Sequence, residues 1–401
     1  EILRCLVGSE MCIRDSYNRA YCLLCSATPS VESYYMAQSG KYRYHALHHR
    51  YGDAVVPTVQ LVDMNNEDLY RGKPMISMAL ARAVSENIRA GRQSILLLNR
   101  RGYHTYAVCK DCKTVAACPN CSISMTYHAA NNRLMCHYCG HSEPAYVRCK
   151  ACGGELTFSG GGTQKAEDQL REAFPEARIL RVDTDTTANK YALEKKLNAF
   201  ANGEYDIMIG TQMITKGLNF ENVTLVGVLN ADQSLYVGDY RANERTFSLI
   251  TQVIGRSGRG DAPGRAVIQT FTPANETIRQ AARQDYDAFY RSEIRLRKLN
   301  GTPPFSEVLA VTVSGAQENA VVRCCAYIRD YFRQTIGERA EVLGPAPLPV
   351  VRMNNRYRYR VTLYCNQSKA VRRAAANIVM YCNTEKSLRD VTVFADDNPL
   401  D

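Results

Sequence analysis

Eight cysteines fall between residues 109 and 152, spaced Cys109-x2-Cys112-x5-Cys118-x2-Cys121-x14-Cys136-x2-Cys139-x9-Cys149-x2-Cys152. A Cys-x-x-Cys turn aims two thiolates at one ion about 2.3 Å away, and two such turns complete a tetrahedron. Eight thiolates therefore predict two structural Zn2+ sites, each closed by four cysteines, with no open position for a reacting water. Four turns can pair in three ways. The span from Cys121 to Cys136 is of hairpin length. Cys118, Cys121, Cys136 and Cys139 are therefore expected on one ion, and Cys109, Cys112, Cys149 and Cys152 on the other, in a nested arrangement. Buried thiols and disulfides are the competing readings, and four regularly spaced pairs argue against both. A redox-active cluster is a further alternative that metal analysis decides. His128, His137 and His141 stand nearby, outside a ligand set that the cysteines already complete.

A second chemistry is cationic. Gln252-Val-Ile-Gly-Arg256-Ser-Gly-Arg259 closes a predicted helix. Arg256 and Arg259 are three apart and would share its face. Two guanidinium forks there can clamp the charge of a transferring phosphoryl group. Gly210-Thr211-Gln212-Met213 directly follows a predicted strand, and Lys216-Gly217 adds a charge beside a flexible joint. A hydroxyl and backbone amides at Thr211, with Lys216, can grip a phosphate of DNA or nucleotide. Asn99-Arg100-Arg101-Gly102-Tyr103 is a basic loop at the same kind of edge, with Arg101 the candidate contact. Arg356, Arg358 and Arg360 alternate with Tyr357 and Tyr359, so on a strand the three arginines share one face. That face suits a backbone groove; a solvated face is the plain alternative.

These groups need elements to hold them. The pattern predicts strands at Tyr21–Ala27, with Cys22 and Cys25 as buried thiols, and at Val56–Asp63. It predicts a helix over Met75–Ala90, where Ile76, Leu80, Val84 and Ile88 recur every four residues, then a strand at Ser94–Leu98. After the cysteine module come helix Gln164–Phe174, strand Arg178–Asp183, helix Lys190–Asn202, strands Asp206–Gly210 and Val223–Leu229, helix Asn243–Gly255 and strand Ala266–Phe271. Alternating helices and strands apolar on both faces imply a parallel sheet covered on both sides. The cysteine module is then an insertion in an α/β lobe. Ala274–Leu299 reads as one long polar helix, and Gly301-Thr302-Pro303-Pro304 as a boundary. Beyond it, strands at Val308–Ser314, Arg356–Tyr364 and Val391–Phe394 alternate with helices at Asn319–Thr335 and Ser368–Cys382, a small α+β domain.

The 401 residues allow two or three domains of about 100–200 residues each. A net charge of +10 suits a polyanionic partner such as nucleic acid. No run of about 18 or more apolar residues appears, which argues against a membrane span. Length and paired cysteine spacing exclude a small secreted disulfide scaffold and point to a reducing, cytoplasmic compartment. Glu1–Ser16 has no clean period, no initiator Met and no signal-peptide core, and is expected to lie outside the fold. The expected division is 17–60 as a leading stretch and link, 61–300 as an α/β lobe with a zinc insertion at 105–155, and 301–401 as a C-terminal α+β domain.

In order along the chain stand SATPS (Ser26–Ser30), LLLNRRGY, the eight cysteines, Thr163-Gln164 after three glycines, RVDTDTT, GTQMITKGLNF, LVGVLNAD, RANERTF and QVIGRSGR. This series resembles the successive motifs of the PriA family of superfamily 2 helicases, from about Tyr21 to the end. Cys25 stands where that family usually has glycine, and Ala188-Asn189 follows RVDTDTT where Lys-Gly is usual. The resemblance implies a RecA-like second helicase lobe at 61–300 carrying the two-zinc module, paired in the nested way, preceded at 17–60 by the end of a first helicase lobe and a link, and followed at 301–401 by a DNA-binding domain. It implies a 3′-to-5′ DNA helicase that recognises stalled replication forks and restarts replication by primosome assembly. ATP and Mg2+ would be its cofactors in the full-length protein. Branched and single-stranded DNA, single-strand-binding protein and primosome proteins would be its partners. Ser26-Ala27-Thr28 resembles the segment that couples hydrolysis to strand movement. Thr211 and Lys216 resemble the second lobe's strand- and nucleotide-contacting loop. Gln252, Arg256 and Arg259 resemble the catalytic motif that reaches the γ-phosphate. The sequence contains no G-x-x-x-x-G-K-[ST] and no Asp-Glu box before SATPS. This chain alone is therefore expected to show no DNA-stimulated ATPase. The alternative function is a non-catalytic zinc-ribbon module for nucleic acid or protein.

Overall fold

The computed structural model describes residues 22–47, 56–98, 105–119, 124–128, 132–136, 140–159, 163–182, 190–211, 214, 220–236, 239–258, 262–366 and 369–399. Two compact units emerge. One is His45–Glu293; the other joins Ile294 onward with the described residues up to Tyr44.

The expected first strand does not form. Cys22–Ala27 is irregular and largely exposed, Leu23 at 77 %, and the Cys22 and Cys25 thiols face solvent rather than a core. An apolar run becomes a strand only where a neighbouring strand takes its backbone hydrogen bonds, and among the described residues none pairs with it. Instead Ser30 caps helix α1 (Val31–Gln38), its hydroxyl accepting from the Ser33 amide at 3.1 Å.

The larger unit begins with β1 (Thr58–Asp63), α2 (Met78–Arg89) and β2 (Gln93–Leu97). The Ser77 hydroxyl caps α2 by accepting from the Leu80 amide, and the four-residue apolar spacing buries Leu80 and Val84 completely. The chain then leaves for a five-stranded antiparallel module of β3 (Thr105–Cys109), β4 (Thr126–His128), β5 (Arg133–Met135), β6 (Ser142–Pro144) and β7 (Leu156–Ser159), in the order β6-β5-β4-β3-β7. It returns with α3 (Thr163–Ala173), β8 (Ile179–Val182), α4 (Lys190–Ala201), β9 (Ile207–Gly210), β10 (Val223–Val228), α5 (Ala242–Ile254) and β11 (Arg265–Thr270). Six strands form a sheet in the order β1-β11-β10-β2-β9-β8, every neighbour parallel. Leu96, Ile207, Ile209 and Leu225 pack with α2 and α3. Their alternates Ile95, Leu97, Met208 and Val226 are equally buried on the opposite face. Both faces are covered, as near-continuous apolar strands require.

The expected single helix after β11 is two, α6 (Glu276–Ala282) and α7 (Tyr286–Leu299). Gln284 takes φ +56, and Asp285 restarts the helix by accepting from the Ala288 amide at 2.9 Å. A capping aspartate outweighs good helix formers on either side.

In the other unit follow β12 (Glu307–Gly315), α8 (Glu318–Ile336), β13 (Ala340–Met353), β14 (Arg356–Cys365), α9 (Lys369–Thr384) and β15 (Val391–Asp397). This βαββαβ chain makes an antiparallel sheet ordered β13-β14-β12-β15, the ferredoxin-like arrangement. Val311, Val313, Val361 and Leu363 pack with Cys324, Ile328 and Phe332 of α8 and Val371 and Ile378 of α9 in one core. The sequence reading missed β13. Its Pro345, Pro347 and Pro349 argue against a strand, yet an edge strand tolerates residues that cannot donate to a ladder.

Candidate metal centre and motor edges

β3 ends on Cys109, and a tight turn brings Cys112 back. The Cys109 amide donates to Thr114 O at 2.9 Å, and Lys113 takes φ +58 to close the turn. The turn at Cys149 repeats this. Its amide donates to Gly154 O at 2.7 Å, and Gly153 takes φ +76. The four thiol sulfurs of Cys109, Cys112, Cys149 and Cys152 lie within 4.8 Å of one another. Cys109 Sγ is 3.5 Å from Cys152 Sγ, and Cys112 Sγ is 3.6 Å from Cys149 Sγ. A zinc tetrahedron with 2.3 Å bonds has edges of about 3.8 Å, so the donor set fits that ion. Backbone amides of Asp111 and Gly154 point at Cys109 Sγ and Cys152 Sγ, each at 3.4 Å. Such donors favour sulfur in its charged form and orient it. A Cβ at Gly154 would displace the Asp111 carboxylate and press on Cys109 Sγ at 3.1 Å, so glycine leaves room there for both. Cys109 and Cys149 are buried and form part of the module core with Leu134, Met125 and Leu156; Cys112 and Cys152 are exposed. The Thr114 hydroxyl and amide draw the exposed Cys112 thiol down to about 6.

Of the second set, Cys118 and Cys136 are buried in the same core, while Cys121 and Cys139 lie outside the described residues. The turn opened by Cys136 repeats the pattern of the other two. Its amide donates to His141 O at 2.8 Å, and Gly140 takes φ +82. His141 thus contributes its main-chain carbonyl to the turn.

The cationic candidates separate. Thr211 follows the last residue of β9, at the carboxyl edge, where the Leu98 amide donates to Gly210 O at 2.9 Å. Phe220 meets Phe200 edge-on, ring centroids 5.1 Å apart, just before β10 begins. α5 ends at Ile254, and the Gly258 amide donates to O of Val223, the first residue of β10, at 3.1 Å. Gln252 and Arg256 therefore lie by the amino edge, about 17 Å of strand away from Thr211. Gln252 donates from Nε2 to Ser248 Oγ at 2.9 Å, and Arg256 is half-buried. The shared-face argument for Arg256 and Arg259 does not carry over. The helix stops before both, and Gly258 between them takes φ +70 at a place where a Cβ would strike the Gly264 backbone. Arg259, Lys216 and Arg101 lie outside the described residues.

On β14, Tyr359 and Val361 enter the core, and Arg356, Arg358 and Arg360 take the other face, half-buried. Arg356 reaches across the sheet, donating to Ser314 O at 2.8 Å and Thr392 Oγ1 at 3.0 Å. One group the sequence reading passed over is Asp232, buried just after β10. Its carboxylate accepts from Thr270 Oγ1 and the Phe271 amide, both at 2.8 Å, from the Thr272 amide at 3.1 Å and from the Thr272 hydroxyl. Only its place in the LNAD motif after a buried strand marked it.

Comparison with known proteins decides among helicase and module readings at the level of family. Residues 118–144 match the PriA DNA helicase Cys-rich region domain, 156–261 the helicase conserved C-terminal domain, and 298–400 the primosomal protein N C-terminal domain. Replication restart protein PriA of Bacillus subtilis is 41 % identical over 387 residues, covering 96 % of this chain and 48 % of the relative. The chain belongs to the PriA family. The PriA proteins of Chlamydia trachomatis (39 % over 353 residues, 87 % of this chain and 47 % of the relative) and Haemophilus influenzae (35 % over 342 residues, 85 % and 46 %) match similarly. The chain spans about half the length of these PriA relatives. Its parallel sheet carries the match to the helicase conserved C-terminal domain, with the Cys-rich module inserted between β2 and α3 and the C-terminal domain following. Among the described residues no helix is long and apolar enough to cross a membrane.

Proposed function

We propose that this chain is the second motor lobe and C-terminal DNA-binding domain of an ATP-dependent 3′-to-5′ DNA helicase that restarts replication at stalled forks. The observation that carries this reading is the six-stranded parallel sheet, which has Thr211 directly after β9 at its carboxyl edge and α5 running to Gln252 and Arg256 by its amino edge. A strand-gripping loop and a phosphate clamp mounted on one sheet can exchange force, which a passive zinc module has no use for. Arg256, with Gln252 and Arg259, would hold the charge of a phosphoryl group bound against a first lobe that supplies the triphosphate cradle and Mg2+. Thr211, Lys216 and Arg101 would hold the DNA backbone, and Arg356, Arg358 and Arg360 a single strand. Two Zn2+ ions, one per nested set of four cysteines, would brace the module. Branched DNA, single-strand-binding protein and primosome proteins would be its partners in a reducing cytoplasm. In the full-length protein, Arg256→Ala is expected to lower DNA-stimulated ATP turnover by about 10³-fold while forked DNA still binds. Unchanged turnover would overturn the assignment of Arg256.

A further inference from the structure

We propose that the β13–β14 hairpin tip contacts nucleic acid at the junction between duplex and single strand. This deepens, and rests on, the strand-binding reading of the C-terminal unit. The tip is held in one register: Asn354 and Asn355 take φ +51 and +59, the signature of a two-residue type I′ turn. Met353 then faces Arg356, and Arg352 faces Tyr357. Opposed residues share a side of the ribbon, so the tip has two differently equipped sides. On one, the Arg352 guanidinium lies 5.2 Å from the Tyr357 ring centroid and reaches Asn355 Oδ1 at 3.3 Å. On the other, Arg358 Nη1 stands 3.9 Å from Met353 Sδ, beside Arg356. The pairing of β12 with β14 ends at Gly315 opposite Tyr357, so the tip beyond it is two-stranded, and Met353 is 49 % exposed.

The hydrogen bonds of Arg352, Arg356 and Arg358 go to amide, hydroxyl, carbonyl and thioether acceptors, none to a carboxylate. Elsewhere in the same unit arginines are neutralised: Arg372 bridges Glu307 and Asp397 at 3.0 and 2.9 Å, and the buried Arg297 meets Glu32 at 3.2 Å. Among the described residues, three guanidiniums within seven residues meet no counter-charge, which fits a polyanion. The Arg352–Tyr357 pair and the exposed Met353 add surfaces on which bases can stack. A closed duplex keeps its bases stacked inside, whereas a fork presents phosphates and unpaired bases side by side.

The test uses the whole 401-residue chain with fluorescent oligonucleotides, a blunt duplex and the same duplex with a single-stranded tail. The parent is expected to prefer the tailed form. Arg352→Ala with Arg358→Ala should weaken tailed-duplex binding by at least 10-fold and lower the log–log salt slope by roughly 1.5. Met353→Ser should cost the tailed duplex about 5-fold and leave the blunt one unchanged. An Arg352→Gln/Arg358→Gln pair keeps much of the alkyl packing and replaces the alanine pair if that melts early. Variants that keep the parent's affinity and preference, or that lose blunt and tailed binding equally, overturn the tip proposal alone. A parent that binds neither oligonucleotide overturns the strand-binding reading beneath it, and this proposal too. Equal loss of binding to an acidic peptide and to the tailed duplex would make the tip a general anion patch and overturn the junction claim.

Discussion

At the scale of single residues, the cysteines divide into those that build a core and those that rim it. Cys109 and Cys149 are buried beside Leu134 and Leu156, and Cys112 and Cys152 are exposed. Replacing a ligand removes a strong bond and loosens a small core that has little else to hold it. Zinc analysis of purified protein is therefore expected to give two ions per chain in the parent, and one each for Cys109→Ser and Cys118→Ser. A parent with one ion, or with none, would remove the nested pairing. Asp232 is held by hydrogen bonds alone among the described residues, and four donors saturate its carboxylate. Asparagine cannot accept all four, so a buried donor is left unmet. Asp232→Asn should lose about 1–3 kcal/mol, read from the urea midpoint.

Elements explain residues that look out of place in the sequence. Gly227 sits within β10, a strand buried along its whole length, where glycine is otherwise unfavourable. An added Cβ would press on Leu96 of β2 at 2.6 Å and on Leu80 of α2 at 2.9 Å. Glycine lets the helix approach the sheet, and Gly227→Ala is expected to destabilise by about 1–3 kcal/mol through overpacking, measurable by thermal melting. The β8–β9 pair is closed at its amino end by Asp206, which accepts from Arg178 Nη2 at 2.6 Å and from the Arg178 amide at 2.8 Å. The Arg178 guanidinium holds the Asp206 carboxyl below the usual range. A depressed carboxyl contributes stability that is present above the unfolded value near pH 4 and is lost as pH falls through the folded one. Asp206→Asn should therefore flatten the acid limb of a stability-versus-pH curve and leave its alkaline limb unchanged. Arg178 is more than half exposed, so the effect is small.

Across the whole molecule, the family match joins three stretches that the fold keeps distinct: a Cys-rich module, a parallel lobe and a ferredoxin-like domain. The strand and helix order of the lobe was legible because parallel strands buried on both faces are apolar throughout and alternate with amphipathic helices. The C-terminal domain was legible except for β13, whose prolines conceal an edge position that no local pattern reveals. Tyr21–Ala27 shows the opposite failure, since apolar composition cannot supply a pairing partner.

By itself the sequence determined the chemistry available: eight thiolates in paired turns, arginines after an apolar helix, and arginines alternating with tyrosines on a strand. Spacing along the chain carries that information because turns and pleats are local. Only the tertiary structure decided which of these groups meet. It brought Cys109 and Cys112 to Cys149 and Cys152 through the pairing of β3 with β7. It set Thr211 and Arg256 at opposite edges of one sheet, and among the described residues it left the hairpin arginines Arg352, Arg356 and Arg358 without carboxylates. Those outcomes depend on contacts between residues far apart in sequence, and a one-dimensional pattern does not encode which distant strand lies beside which.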